Sequence, residues 1–456
     1  MDEPQEIAPS PTAGFVPVPP SSGPPVPPSF GPVKAFERVS SVDVLRGAAV
    51  LGILVMNIQT FGNIWPSYTN PLAGGGTGPL DIGTWWVAHL FFDLKFMTIF
   101  SMLFGAGLAL MAERAEARGS RFGGFYYRRL FWLLVLGAVH AYLIWFGDIL
   151  FWYAVCGAFI YPMRRVRPAI LLVVGTLLLL VVVPLTLGFG KFVVPKIKTA
   201  AAEAIAARDA GQELTAEQTE AIATWEEFHP SEEKIQEEVD VYRGSSWIRQ
   251  VAFRAPMVVQ FQIFGLVFFG WRIVGLMLIG VGLMKLGVFA ARQSTRFYLL
   301  CILIGYGAGL TIVWLGGRAM VAAQWDTLFM KQGGMLPNYF GSLGVSMGHV
   351  GVIMLLCKAG ALRWLTDRLA AVGRMALTSY LTHSLVCTTL FYGWGFGLFG
   401  TLSRFELMGV VLAIFIVQLI VSPLWLRRFR FGPAEWLWRS LTYGASQPMR
   451  AAAARE

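Results

Sequence analysis

Apolar stretches long enough to cross a bilayer recur along nearly the whole chain, separated by short polar connections. A span needs about 20 predominantly apolar residues. Segments at 38–62, 84–112, 129–146, 148–163 and 168–190 read this way, as do one within 252–288 and those at 296–316, 339–357, 373–393 and 406–426. The pattern predicts an all-α, polytopic integral membrane helix bundle of about ten spans, the third and fourth forming a hairpin with Asp148 at its tip. Two regions break the pattern. Residues 1–34 are rich in Pro, Ser and Gly and read as a disordered, partly polyproline-II cytoplasmic tail. Residues 191–250 carry seven basic and twelve acidic side chains. Thr215–Gln218 reads there as a capping box, and Ser231 before two glutamates as a second helix start. This predicts a small, acidic, helical extracytoplasmic insert between membrane halves at 35–190 and 251–446, with residues 447–456 as a disordered tail.

Charge placement orients the chain. Basic clusters at 114–129, 164–167, 285–296, 358–374 and 427–439 fall in alternate connections or at the C-terminus, and the intervening loops are poor in Lys and Arg or net acidic. The positive-inside rule then puts both termini in the cytoplasm, in a plasma membrane of bacterial inner-membrane type. The net charge of +10 is spread over these short clusters, which suits loops facing anionic lipid and argues against nucleic acid as a partner. Four cysteines lie in apolar segments without metal-ligand spacing, and five scattered histidines form no zinc pattern. No metal site is expected.

The polar residues inside the apolar runs carry the functional signal. In RVSSVDVLRGAAVLGILVMNIQTFG, residues Asp43, Arg46, Val50, Ile53 and Asn57 share one helical face. Arg46 and Asn57 would lie about 16 Å apart along it. Asp43 and Arg46 can simply pair near the interface while Arg46 reaches lipid phosphate. Asn57, whose carboxamide cannot reach the interface, points instead to a polar stripe lining a buried site. Asp93 and Lys95 stand at i,i+2 and need separate partners, and the depth of Lys95 calls for an acidic or carbonyl partner or a shifted pKa. Gly105 and Gly107 permit close helix contact. Arg272 lies in a later span. Together with Arg46, Lys95 and Arg272 suit an anionic ligand, or else a structural ion-pair network with Asp43, Asp93 or Asp148.

Several blocks in order resemble the YeiB-like membrane proteins that carry the domain of unknown function 418. These are SVDVLRGAAVLGILVMNIQTFG, KFMTIFSMLFGAGL, HAYLIWFGDILFWYAVCG, GLMLIGVGLMKLG, and GRMALTSYLTHSLVCTTLFYGWGFGLFG with GPAEWLWRSLTYG. Ser379 and His383 stand where that family more often shows Asn and Gln. The family has no settled activity. Its first span in turn resembles membrane acyltransferases of the acyltransferase 3 and heparan-alpha-glucosaminide N-acetyltransferase type. Those share a D-x-x-R-G entry, matched here by Asp43, Arg46 and Gly47. The wider resemblance implies an acyl donor such as acyl-CoA, used as a substrate with no permanently bound cofactor, and a glycan or lipid acceptor. Where the acyltransferase 3 pattern has a histidine, this chain has Asn57, which offers no base.

A base must therefore come from His140, His89, His383 or Asp148. His140 and Asp148 are the preferred catalytic pair, with Asp43, Arg46, Asn57, Lys95 and Arg272 as substrate or anion ligands. His89, among tryptophans near a span end, and His349, with only Ser346 as a nearby polar residue, read as structural. Two function classes follow. One is a membrane-bound acyltransferase-like enzyme moving an acyl group from a cytoplasmic donor to an extracytoplasmic acceptor. The other is a transporter or permease-like carrier using the same buried charges, against which the lack of a visible inverted repeat counts mildly.

Overall fold

A computed structural model describes residues 40–119 and 122–450 of the chain. The Pro-rich segment 1–34 and residues 451–456 of the tail lie outside the described residues. The N-terminal half comprises α1 (Ser40–Gly62), α2 (Pro79–Phe91), α3 (Lys95–Ala117), α4 (Gly123–Val139), α5 (Leu150–Ile160), α6 (Pro168–Leu180) and α7 (Val182–Gly188). The polar segment folds as α8 (Val194–Asp209), α9 (Ala216–Glu226) and α10 (Glu232–Gly244). The C-terminal half adds α11 (Trp247–Lys285), α12 (Thr295–Ala322), the single turn α13 (Thr327–Phe329) and α14 (Leu336–Ala359). It closes with α15 (Arg363–Arg374), α16 (Ala376–Phe391), α17 (Arg404–Arg428) and α18 (Pro433–Tyr443). No strand ladder occurs among the described residues, whose one isolated bridge joins Phe429 to Arg450.

Among the described residues, eight helical stretches are long and apolar enough to cross a membrane. Each overlaps one of the ten apolar segments of the sequence. The other two fold as α5, of 11 residues, and α16, of 16 residues. Both are cut short by local chemistry. Pro162 takes the chain after α5 into a 3₁₀ turn, and Met375 (φ −111°, ψ 28°) interrupts helix between α15 and α16.

α1 is the axis of the bundle: 78% of its most apolar window is buried, against 22–56% in the other seven stretches. Its start is seated by glycine. A Cβ on Gly47 would collide with the Leu369 carbonyl, and one on Gly373 with that of Asp43, so α1 and α15 touch backbone to backbone. Gly105 and Gly280 do the same for α3 and α11, whereas Gly107 faces open space.

The polar segment is helical, as its caps predict. Thr215 and Gln218 form the reciprocal capping box, and Ser231 accepts from the Lys234 N–H. It packs at the end of the bundle where α1 finishes. There Gly393 N–H donates to Tyr242 O (2.7 Å) and Gly400 N–H to Gly62 O (2.7 Å). The opposite end gathers the start of α1, the end of α3, α15 and α18.

Candidate functional site

At this second end a cavity of about 300 Å³ opens between α1, α3, α4, α16 and α18. Asp43, Arg46, Val50 and Ile53 line it from α1. Along that helix, Asp43, Arg46, Ile53 and Asn57 are only half-buried, while most of their neighbours are fully buried. The polar stripe of the sequence therefore borders real space. Asn57 continues it one turn beyond Ile53 without lining the cavity itself, and its carbonyl accepts from Thr60 Oγ1 at 3.0 Å.

Charge is concentrated at one end of this chamber. Arg46, Arg114, Arg118 and Arg129 line it from the first half of the chain, and Arg374, Arg430 and Arg439 from the second. Two carboxylates accompany the seven guanidinium groups, and both are committed. Asp43 holds Arg46 at 2.6 Å. Glu435 accepts from the N–H groups of Leu377 (2.6 Å) and Thr378 (3.1 Å), capping the first turn of α16. Burial pushes the Glu435 carboxyl above the usual carboxylate range. Arg129 stacks over Trp438 at 3.6 Å and Arg439 over Phe431 at 4.7 Å, which fixes both side chains. Away from the arginines the lining turns apolar and aromatic, with Phe100, Leu133, Ile149, Tyr153 and Tyr380.

Behind Tyr380 lies a hydrogen-bonded chain. α4 ends in a π turn at His140–Ile144, and Trp145 (φ −156°, ψ 129°) then reverses the backbone. This brings Asp148 back beneath His140, a contact that i,i+8 spacing on one helix cannot make. Asp148 Oδ2 lies 2.7 Å from His140 Nδ1, while Oδ1 accepts from Phe151 N–H at the start of α5. The second ring nitrogen, Nε2, is 2.8 Å from Ser384 Oγ on α16. All three residues are buried, and the Tyr380 ring lies 5.2 Å from that of His140. With Nδ1–H directed at the carboxylate, Nε2 is left as the acceptor for a hydroxyl proton.

Lys95 and Arg272 belong elsewhere. The helix across 84–112 breaks at Leu94 (φ 64°), ending α2 and starting α3 at Lys95. The break frees the His89 carbonyl, which takes a hydrogen bond from Lys95 Nζ at 2.5 Å. A second goes to Asn338 Oδ1 at 2.6 Å, whose amide donates to Asp93 Oδ2 at 2.6 Å. His89 Nδ1 completes the cluster 3.3 Å from Asp93. Arg272 donates to Tyr339 O, Thr98 Oγ1 and Ser342 Oγ at 2.8–2.9 Å. The adjoining void, lined by His89, Asp93 and Asn338, measures about 20 Å³, room for one water.

The sequence-predicted residues thus fall into three groups: Asp43 and Arg46 on the chamber, His140 and Asp148 behind its wall, Lys95 and Arg272 in a filled cluster. His349 has better partners than the neighbouring Ser346, namely Tyr306 OH at 2.7 Å and Phe91 O at 2.9 Å. His383 bonds Gln418 on α17 at 2.9 Å. Sequence reasoning missed Ser384, Tyr380 and Asn338, none of which stands in a recognisable spacing. The arginines of the second half were visible only as basic clusters.

Residues 283–445 match the model of a protein family described as a protein of unknown function (DUF418). The chain is 32% identical over 418 residues to the uncharacterized protein YeiB of Escherichia coli (strain K12), covering 90% of this chain and 98% of that protein. It is 30% identical over 426 residues to the uncharacterized protein YxaH of Bacillus subtilis (strain 168), covering 91% and 96% respectively. No solved structure matches the chain.

Proposed function

We propose that this chain, which belongs to the DUF418 family together with YeiB, is a membrane-embedded acyltransferase acting on an anionic, amphiphilic donor of the acyl-CoA type. The single observation that carries this reading is the chamber: arginines at one end, apolar walls beyond, and the His140–Asp148 pair behind Tyr380. Clustered guanidinium groups bind phosphate oxygens by charge-assisted, often bidentate hydrogen bonds. The apolar walls suit the acyl chain. Because the arginines lie at the end carrying the basic connections, the donor enters from the cytoplasm under the positive-inside rule. The acceptor, a glycan or lipid hydroxyl, approaches from the side of the acidic insert.

In this reading His140 Nε2 takes a hydroxyl proton while Asp148 holds Nδ1–H and stabilises the imidazolium. The same proton then goes to the leaving thiolate, so the pair ends each cycle as it began. Purified protein in nanodiscs should bind palmitoyl-CoA in calorimetry and release free thiol when an acceptor is supplied. His140→Asn should leave binding intact and slow release ~10²-fold or more, the usual worth of a positioned base. A fully active His140→Asn protein removes the base assignment. Binding without thiol release by the native protein favours a carrier of anionic solutes.

A further inference from the structure

We infer that Ser384 is a nucleophile, and that transfer proceeds through an acyl-serine intermediate; the inference rests on the acyltransferase reading above. Its ground is the way this hydroxyl is spent. Buried hydroxyls on helices satisfy themselves on carbonyls of their own helix. Ser101 does so on Met97, Ser342 on Tyr339, Ser346 on Ser342 and Thr388 on Ser384 itself, at 2.6–2.9 Å. Ser384 Oγ is directed instead at His140 Nε2 (2.8 Å), whose other nitrogen is held by Asp148 (2.7 Å). A hydroxyl, an imidazole and a carboxylate in series, drawn from α16, the end of α4 and the following hairpin, are the parts of an activated serine.

The position suits a reaction that must exclude water. Tyr380 precedes Ser384 by four residues and so lies one turn away on the same face of α16, between Ser384 and the chamber it lines. Its hydroxyl reaches Gly147 O over a long 3.4 Å and also meets the Ile149 backbone, both in the hairpin and neither on α16. Displacement of that ring admits the donor carbonyl to Ser384 while the surrounding apolar walls keep water from the intermediate.

The chemistry balances without a further reactant. Ser384 Oγ attacks the thioester carbonyl and its proton passes to His140 Nε2. The C–S bond breaks, and the thiolate leaves with that proton. The acceptor hydroxyl next gives its proton to Nε2 and attacks the acyl-serine. The ester to Ser384 breaks, and Oγ recovers the proton.

The test uses the intact protein in nanodiscs with palmitoyl-CoA and no acceptor, quenched in acid and mapped by peptide mass spectrometry. One palmitoyl group on Ser384 is expected, released by an added acceptor. Ser384→Ala should show no adduct and lose thiol release ~10²-fold or more, in line with removal of a nucleophile. Ser384→Cys, which keeps the shape, should trap the acyl group as a hydroxylamine-labile thioester. Tyr380→Ala should speed labelling of Ser384 by a long-chain fluorophosphonate. Normal turnover by Ser384→Ala, with no adduct on the native protein, overturns the inference and leaves His140 acting directly on the acceptor. Absence of thiol release from the native protein overturns the acyltransferase reading as well, so the two failures are distinguishable.

Discussion

Near the start of α1, seven arginines and two carboxylates border about 300 Å³ of space, while beyond the middle of the bundle the partners of Lys95 (His89, Asp93 and Asn338) crowd a void of about 20 Å³. Lys95 and Arg272 are fully buried within apolar runs, whereas the chamber arginines are half-buried or, at Arg430, exposed, and most of them stand in the basic clusters of the sequence. The difference also lies in the space beside them. Lys95 and Arg272 take protein carbonyls, hydroxyls and an amide, so their hydrogen bonds close on the bundle itself. At the chamber seven arginines and two carboxylates face open volume. Buried charge alone therefore does not mark a binding site in a membrane protein; the acyltransferase proposal rests on charge beside unfilled volume.

The largest effect should come from the filled cluster. Lys95→Ala strands the His89 carbonyl and the Asn338 amide oxygen in the interior. That should cost ~3–5 kcal/mol, as breaking a buried charged network does. Thermal melting in detergent should fall sharply, while protein that remains folded keeps its affinity for palmitoyl-CoA. Loss of affinity with unchanged melting would reverse the roles assigned to the two regions.

Gly47→Ala should come next, at ~1–3 kcal/mol for overpacking. The added methyl meets the Leu369 carbonyl and pushes α15 from α1, carrying Arg374 away from Arg46. Melting and affinity should drop together, because this contact builds the chamber. Arg46→Ala should do the opposite of Lys95→Ala. Its partly exposed pair with Asp43 contributes ~1 kcal/mol or less to stability. Affinity for palmitoyl-CoA should nevertheless fall ~10-fold, the effect of losing one charge-assisted contact.

The smallest effect concerns the insert. Half-buried Glu238 on α10 accepts from the Trp65 N–H at 3.3 Å, tying the insert to the loop after α1. Burial raises its pKa from 4.5 to about 7. The folded state then binds more protons than the unfolded one between these values. The contribution to stability is complete below pH 4.5 and is lost as pH rises through about 7. Glu238→Gln should flatten the melting temperature across that window by a small amount, measurable against the native protein. An unchanged slope would remove Glu238 as its source.

Much of the architecture was legible because hydrocarbon length and apolar content state it directly. The capping residues Thr215 and Ser231 marked helix starts correctly for the same reason: the side chain that stops the helix is local. What escaped depends on contacts distant in sequence. Nothing in FFDLKF announces that Leu94 turns left-handed, since no Gly or Pro is present. The pairing of His140 with Asp148 requires a π turn and an extended Trp145, neither of which has a sequence signature. Ser384 looks like any small polar residue in an apolar helix, and only its direction toward His140 sets it apart. The D-x-x-R-G entry became intelligible in the fold: Gly47 admits the α15 backbone, and Arg46 reaches Gly373 O at 3.5 Å.

The most direct test of the chamber is photocrosslinking in nanodiscs with a palmitoyl-CoA analogue bearing a diazirine along its chain, followed by peptide mapping. Occupancy of the chamber predicts labels on Phe100, Leu133 and Tyr380, competed by unlabelled palmitoyl-CoA and lost in Arg46→Ala. Labels confined to outward-facing residues such as Leu303 and Leu412, unchanged by competitor, would contradict it.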